Sequence, residues 1–312
     1  MPTPLPNSAL SCPVCSEPDA ALTGPAGRYR LYRCRICDLT FSDPMQAPGS
    51  EWYEGAYLIR HIAVDDRIRE YFRWALNRLP PACRLLDVGC GEGTFVAYAR
   101  GRGFDAWGVD FSRTSVEAGA RRYGLTTLRV GAIEALRAAG PGFQAVTAFE
   151  VLEHVESPVT LLRTMRDALL PGGDLALSVP NRDRWPLQEF SDYPPNHLTR
   201  WSEPALRRAA EEADLRVVAI EQTSRLQSIN ALFGYVPRSA LYWALGLRSL
   251  GIAPRSNAAG RMLDRSPVLG RFGSAARRAR DAVLWPPALL AAPFLWHRCR
   301  GYNLMLHARR PE

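Results

Sequence analysis

A chain of 312 residues holds one large domain and a small one, and an apolar fraction of 47% is enough for a sizeable core and excludes wholesale disorder. The formal net charge is +8, and all 39 basic residues are arginine. This balance permits an anionic partner such as a phosphorylated substrate, a nucleic acid or a membrane surface, although an arginine-rich genome leaves the same composition.

Residues 1–10 have no charged segment followed by an apolar core, so no secretory signal is expected. No uninterrupted apolar run reaches the roughly 18 residues of a membrane span. Seven cysteines in such a chain point to metal rather than disulfides, and so to a reducing cytoplasm.

Residues 1–45 form a first module. Cys12-Pro13-Val14-Cys15 and Cys34-Arg35-Ile36-Cys37 repeat C-x-x-C. Each pair presents two thiolates to one ion, and two pairs complete a tetrahedron. Cys12, Cys15, Cys34 and Cys37 are therefore the expected ligands of a structural zinc, and the pattern resembles a zinc ribbon. Contact with a partner through Arg28, Arg30, Arg33 and Arg35 is the second reading.

Residues 46–82 read as a connector and a helix over 65–79 that ends at Pro80-Pro81. From 83 to 222, short apolar strands alternate with helices. Strands are expected over 84–88, 106–110, 127–130, 145–149, 175–179 and 215–221. Helices are expected up to 102 and over 113–123, 158–169 and 203–213, and Pro171-Gly172-Gly173 reads as a turn. A last strand falls at 302–309, within a closing segment 301–312. Such alternation predicts an α/β fold, a Rossmann-like, doubly wound, mostly parallel sheet of seven strands.

Residues 223–300 interrupt the pattern as a helical insertion, read as a cap, a dimer face or a membrane-interface element. Within it, 282–296 is uncharged and flanked by arginines, too short and proline-broken to span a bilayer. A helical cap over the crevice or a homodimer face is the commoner outcome for such a segment, and peripheral contact at the inner face of the membrane is the lesser one.

The most informative run is Leu85-Leu86-Asp87-Val88-Gly89-Cys90-Gly91-Glu92-Gly93. A strand ends in close glycines and a helix follows at once, so backbone N–H groups are open to a ligand. Asp110, at the end of the next strand, is placed to hold ribose hydroxyls. Asp87 in the turn would repel a pyrophosphate but suits the ammonium of a methionine moiety. The segment resembles motif I of class I S-adenosylmethionine-dependent methyltransferases. The resemblance implies cofactor contacts at Asp87, Gly89, Cys90, Gly91, Gly93, Asp110 and Phe111. Further contacts fall at Ala132 and Ile133, where the acidic residue often found in the family is missing, and at Phe149.

The fourth strand runs into Phe149-Glu150-Val151-Leu152-Glu153-His154, and His197 follows the fifth strand. Methyl transfer needs an aligned acceptor and a base for its proton, and an imidazole suits that base. Glu150, Glu153, His154 and His197 are the candidate catalytic residues, and the same four form a candidate second divalent site. The E-x-x-E-H run with a downstream histidine resembles ubiquinone-biosynthesis O-methyltransferases and the small-RNA 2′-O-methyltransferases, where it binds a divalent metal. Zinc-ribbon modules like 1–45 precede sugar- and polysaccharide-modifying methyltransferases in bacteria. The expected function is O-methylation of a small-molecule, sugar or lipid-linked acceptor. The alternatives are an RNA-directed methyltransferase or RNA-binding protein, and a non-catalytic cofactor-binding subunit. Nucleic acid is not the expected partner, because the basic residues form no dense block.

Overall fold

The computed structural model describes residues 10–48, 69–133, 142–184, 192–225 and 300–312, together with Leu290 and Pro293. Residues 49–68 of the connector and nearly all of the 223–300 insertion, the 282–296 run included, lie outside the described residues. The cap, dimer and membrane readings lie there too. Among the described residues, no helix is long and apolar enough to cross a membrane.

The chain first makes an antiparallel sheet of β1 (Ala20–Ala26), β2 (Tyr29–Cys34) and β3 (Thr40–Asp43). The expected helix before the core is α1 (Glu70–Leu76), shorter than 65–79 at its C-terminal end because Asn77 caps it.

The core sheet then forms with β4 (Arg84–Val88), α2 (Thr94–Arg100), β5 (Asp105–Asp110), α3 (Arg113–Tyr123), β6 (Leu128–Val130), β7 (Phe143–Phe149), α4 (Pro158–Ala168) and β8 (Leu169–Pro180). It closes with β9 (Thr199–Arg200), α5 (Glu203–Glu212), β10 (Arg216–Gln222) and β11 (Asn303–Arg309). Except for β9, the strands of this part form one seven-stranded sheet in the order β10-β11-β8-β7-β4-β5-β6. Strands β4 to β8 run parallel, while β11 is antiparallel to both neighbours. This is the predicted Rossmann-like, mostly parallel sheet.

Local chemistry fixes the helices. The Ser112 hydroxyl caps α3 by accepting from Ser115 N–H, and Gly124 ends it in the left-handed conformation at φ +63°. Ser202 caps α5 in the same way, and each of α4 and α5 carries a proline in its first turn. Val159, Leu162, Met165 and Ala168 put one apolar stripe of α4 into the core. The central strands have no polar side to show: Leu85, Leu86, Val146, Leu175 and Val179 are fully buried. Each such side chain contributes about 1.5–3 kcal/mol by leaving water.

The expected turn at Pro171-Gly172-Gly173 is a correction. These residues lie inside β8, where Phe143 pairs Leu169 and, two residues on, Ala145 pairs Asp174. The turn chemistry serves a bulge, with Gly172 at φ +71°.

A second finding concerns the first module. Its sheet is not closed on itself, because β9 adds to β3, pairing Thr40 with Arg200 and Phe41 with Thr199. The ribbon is therefore stitched to the segment that carries His197.

Candidate active site

From β4 the chain moves outward to β5 and β6, then returns to β7 on the other side of β4. The carboxyl ends of β4 and β7 thus border the switch point where open α/β sheets bind ligands. The glycine turn follows β4, and Glu150 follows β7.

Gly89, Gly91 and Gly93 all have positive φ, at +71°, +55° and +73°. A Cβ on Gly89 would stand 2.5 Å from Val151 Cγ2, whereas one on Gly91 would meet nothing within 4 Å. The turn is thus closed against the β7 side and open at Gly91. Asp110 braces it: Oδ2 accepts from Gly91 N–H at 2.9 Å and Oδ1 from Ser112 N–H at 2.8 Å. Beside Asp110, the Phe111 ring is 77% exposed, an apolar face at the mouth of the crevice. Ile133 is buried and Ala132 half-buried beyond β6.

Asp87 lies within β4 rather than in the turn, and is 3% exposed. Its Oδ1 accepts from Thr147 Oγ1 at 2.8 Å. Burial pushes its carboxyl up to about 8, with the Asp110 charge adding to the rise and the Thr147 bond opposing it. Cys90 is held within the fold. Its Sγ faces Gly108 in the core, its N–H donates to Val109 O, and its carbonyl accepts from Gly93 N–H. Phe149 packs among Tyr71, Phe72 and Phe95, with ring centroids 4.7–5.3 Å away.

On the β7 side, Glu150 has φ +59°. The left-handed region costs a glutamate about 1–2 kcal/mol, and such strain collects at functional sites. Glu150 Oε1 accepts from Ser178 Oγ at 3.0 Å and Asn303 Nδ2 at 2.7 Å. Burial is the main cause that raises its carboxyl to about 7. Ser178 and Asn303 were not read from the sequence. Each is a buried polar residue beside apolar neighbours in its strand, and that was the available signal.

Glu153 and His154 sit in a short 3-10 turn, Leu152–His154. The Glu153 side chain is 1% exposed, and among the described residues neither carboxylate oxygen has a hydrogen-bond partner. Its Oε1 lies 3.8 Å from His154 Nε2 and 3.9 Å from His197 Nε2. His154 Nδ1–H donates to the Asn196 carbonyl at 2.6 Å, which leaves Nε2 as the basic nitrogen. His197 Nδ1 faces Asp192 Oδ1 at 3.6 Å. Burial, then the Glu150 charge, raises the Glu153 carboxyl well above its ordinary value.

The structure brings together three of the four candidate divalent ligands. Glu153, His154 and His197 each offer an atom within 4.8 Å of the others, and Glu150 bonds to Ser178 and Asn303 outside this trio. Two donors about 2.1 Å from one ion stand at most about 4.2 Å apart. The distances to Glu153 fit that limit, and the orphaned carboxylate supplies the charge a cation would balance.

The four ribbon cysteines are all buried and mutually within 4.8 Å. Cys12 Sγ lies 3.5 Å from Cys37 Sγ, and Cys15 Sγ 3.5 Å from Cys34 Sγ. That is too far for disulfides and near the roughly 3.8 Å of thiolates sharing one tetrahedral zinc. Ser16 and Asp38, each following a C-x-x-C, are left-handed at φ +62° and +68°. Two of the four ribbon arginines form ion pairs within the module: Arg33 with Asp38, and Arg35 with Asp19.

Asp38 also reaches the core. Arg182 bonds both its carbonyl and its Oδ2, the latter at 2.6 Å, and the Ser202 hydroxyl donates to the same carbonyl at 3.2 Å. Burial works to raise the Asp38 carboxyl, but the bonds from Arg182 and Arg33 outweigh it and hold it below the usual range.

A family model described as a methyltransferase domain matches residues 59–220. The chain belongs to this family. The methyltransferase is of the class I, S-adenosylmethionine-dependent kind. It is 39% identical over 108 residues to a ubiquinone biosynthesis O-methyltransferase of Xanthomonas campestris pv. campestris, covering 33% of this chain and 45% of that one. A ubiquinone biosynthesis O-methyltransferase of Xanthomonas axonopodis pv. citri is 39% identical over 147 residues, covering 45% and 60%. The methyltransferase thus spans less than two thirds of the length of these curated relatives. Among solved structures, an S-adenosylmethionine-dependent methyltransferase from Mesorhizobium loti is similar at TM-score 0.46 and 18% identity, over 77% of this chain and 95% of that one.

Proposed function

We propose that this methyltransferase moves the methyl group of S-adenosylmethionine to a hydroxyl of a small-molecule, sugar or lipid-linked acceptor in a reducing cytoplasm. One observation carries the reading. The Glu153 carboxylate is buried, lacks any hydrogen-bond donor among the described residues, and stands between the Nε2 atoms of two histidines. Relatives named for O-methylation in ubiquinone biosynthesis support an oxygen acceptor.

Two metals belong to the proposal. Cys12, Cys15, Cys34 and Cys37 would hold a structural zinc. Glu153, His154 and His197 would hold a divalent ion, which when bound supplies the Lewis acidity that lowers an acceptor hydroxyl's pKa. The chain's own residues do the rest. Asp87 and the glycine turn receive the methionine part, and Asp110 and Phe111 the nucleoside. The Asn196 carbonyl orients His154, and the packed aromatics around Phe149 keep water from the β7 end.

Methyl transfer from labelled cofactor to a panel of hydroxyl compounds, before and after metal stripping, tests this. Transfer should fall on stripping and return with added divalent ions. His197→Ala should lower kcat with little change in cofactor affinity. Full activity after complete metal removal would sink the divalent reading, and absence of cofactor binding in calorimetry would sink the whole.

A further inference from the structure

Three arginines line one cavity with His197, and two of them have a carboxylate of their own. Arg182 is paired with Asp38, and Arg184 with Asp192. Arg200, the last residue of β9 and three after His197, has none within ion-pair distance among the described residues. Asp192 is the acidic group whose charge reaches it, but that carboxylate pairs with Arg184 and faces His197 Nδ1 at 3.6 Å. The Tyr193 ring lies 4.8 Å from the Arg200 guanidinium carbon. The Tyr193 side chain also takes a hydrogen bond from the guanidinium, whose remaining N–H donors are left for an acceptor group. Burial lowers the Arg200 pKa against the opposing pull of Tyr193 and Asp192, so the charge is poorly solvated and no carboxylate among the described residues is in contact with it. A cation in that position is costly unless a ligand brings the opposite charge.

We propose that Arg200 binds an oxyanion of the acceptor, a carboxylate or phosphate, and so selects acceptors that carry one. The inference rests on the methyl-transfer reading, since His197 borders both this cavity and the Glu153 cluster. A guanidinium fork matches either oxyanion with two parallel hydrogen bonds. The acceptor would then be held at two points, its anionic group at Arg200 and its hydroxyl beside Glu153, His154 and His197.

The test is calorimetric titration of the full chain, saturated with S-adenosylhomocysteine, using inorganic phosphate and benzoate, with benzyl alcohol as the uncharged probe. One anion should bind saturably at one site. Arg200→Gln should weaken it by about tenfold or more, and Arg200→Lys by less. Arg121→Gln, an exposed arginine on α3, should leave it unchanged. Absence of saturable anion binding to the wild type, or equal binding by Arg200→Gln, overturns the proposal. If Arg200→Gln fails to fold, the wild-type titration and Arg200→Lys decide. Co-sedimentation with phosphatidic acid vesicles that depends on Arg200 assigns the oxyanion to a lipid, and binding of the free anions alone assigns it to a soluble acceptor. Cofactor affinity in the same samples separates the two readings. Protein that binds S-adenosylmethionine but no anion loses this inference alone, and protein that binds the anion but no cofactor loses the methyl-transfer reading.

Discussion

Ser42 N–H donates to the Leu198 carbonyl at 2.9 Å, and the N–H of the same Leu198 donates to the Glu153 carbonyl at 2.8 Å. One residue, next to His197, therefore joins the ribbon strand β3 to the turn that carries the orphaned carboxylate. Ribbon and active site share a backbone.

The ribbon cysteines should therefore act on the proposed divalent site at a distance. Cys34→Ser should release zinc, loosen β3 from β9 and weaken manganese binding by about tenfold, read by electron paramagnetic resonance. Cofactor affinity should change little, since Gly89 to Gly93 follow β4 and Asp110 ends β5, neither of which pairs with β3 or β9. Manganese binding unaltered in zinc-free protein would show the two sites to be independent.

Glu153→Gln keeps the volume and removes the charge. Without divalent ions it should stabilise the protein increasingly as pH rises, because the raised Glu153 carboxyl must give up its proton to become a buried charge and the amide does not. With divalent ions the order should reverse, since only the wild type gains stability by binding. Turnover should fall by about a hundredfold or more. Thermal melts with and without manganese check the sign.

Asp87 gives cofactor binding a pH dependence. Its folded value of about 8 lies above the ordinary 3.8, so the folded state holds a proton that the unfolded chain releases. This group thus contributes less stability as pH rises from about 4 to about 8. An ammonium ligand favours the ionised form, so affinity for S-adenosylmethionine should rise about tenfold from pH 6 to 7 and level off above 8. Asp87→Asn should flatten that profile in calorimetry.

Arg182→Met should separate packing from charge at the ribbon junction. It keeps much of the stem but leaves Asp38 without its main counter-charge, at a cost of about 1–3 kcal/mol. In the wild type the Asp38 carboxyl is held below its usual range, so its contribution is present above the unfolded value and is lost as pH falls. The stability difference between wild type and Arg182→Met should accordingly shrink in acid. A difference constant from neutral pH to about pH 3 would contradict the pairing.

Much of the core was legible because its signals are local. Strand β4 falls on 84–88 as read, since an apolar run between Arg84 and Gly89 has no other way to bury both faces. Helix α3 falls on 113–123 because Ser112 and Gly124 mark its ends. Strand β8 was cut short because Pro171-Gly172-Gly173 is the same chemistry in a bulge as in a turn. The site was legible in its residues but not in their partners. Nothing local tells that Asn303 reaches Glu150 across 153 positions, or that Thr199–Arg200 completes the ribbon sheet. Both depend on which strands become neighbours, and a two-residue strand leaves no periodicity to read.

The missing side chain at Gly89 has a consequence for how reactants are brought into line. Val151 fills the space that any larger residue at 89 would claim. In the proposed reaction, methyl donor and methyl acceptor would be registered against each other by a bare hydrocarbon touch between two loops, which neither salt nor acidity can tune. A single methyl group added there would shift both loops at once, spoiling the line of attack while every charged residue stayed in place.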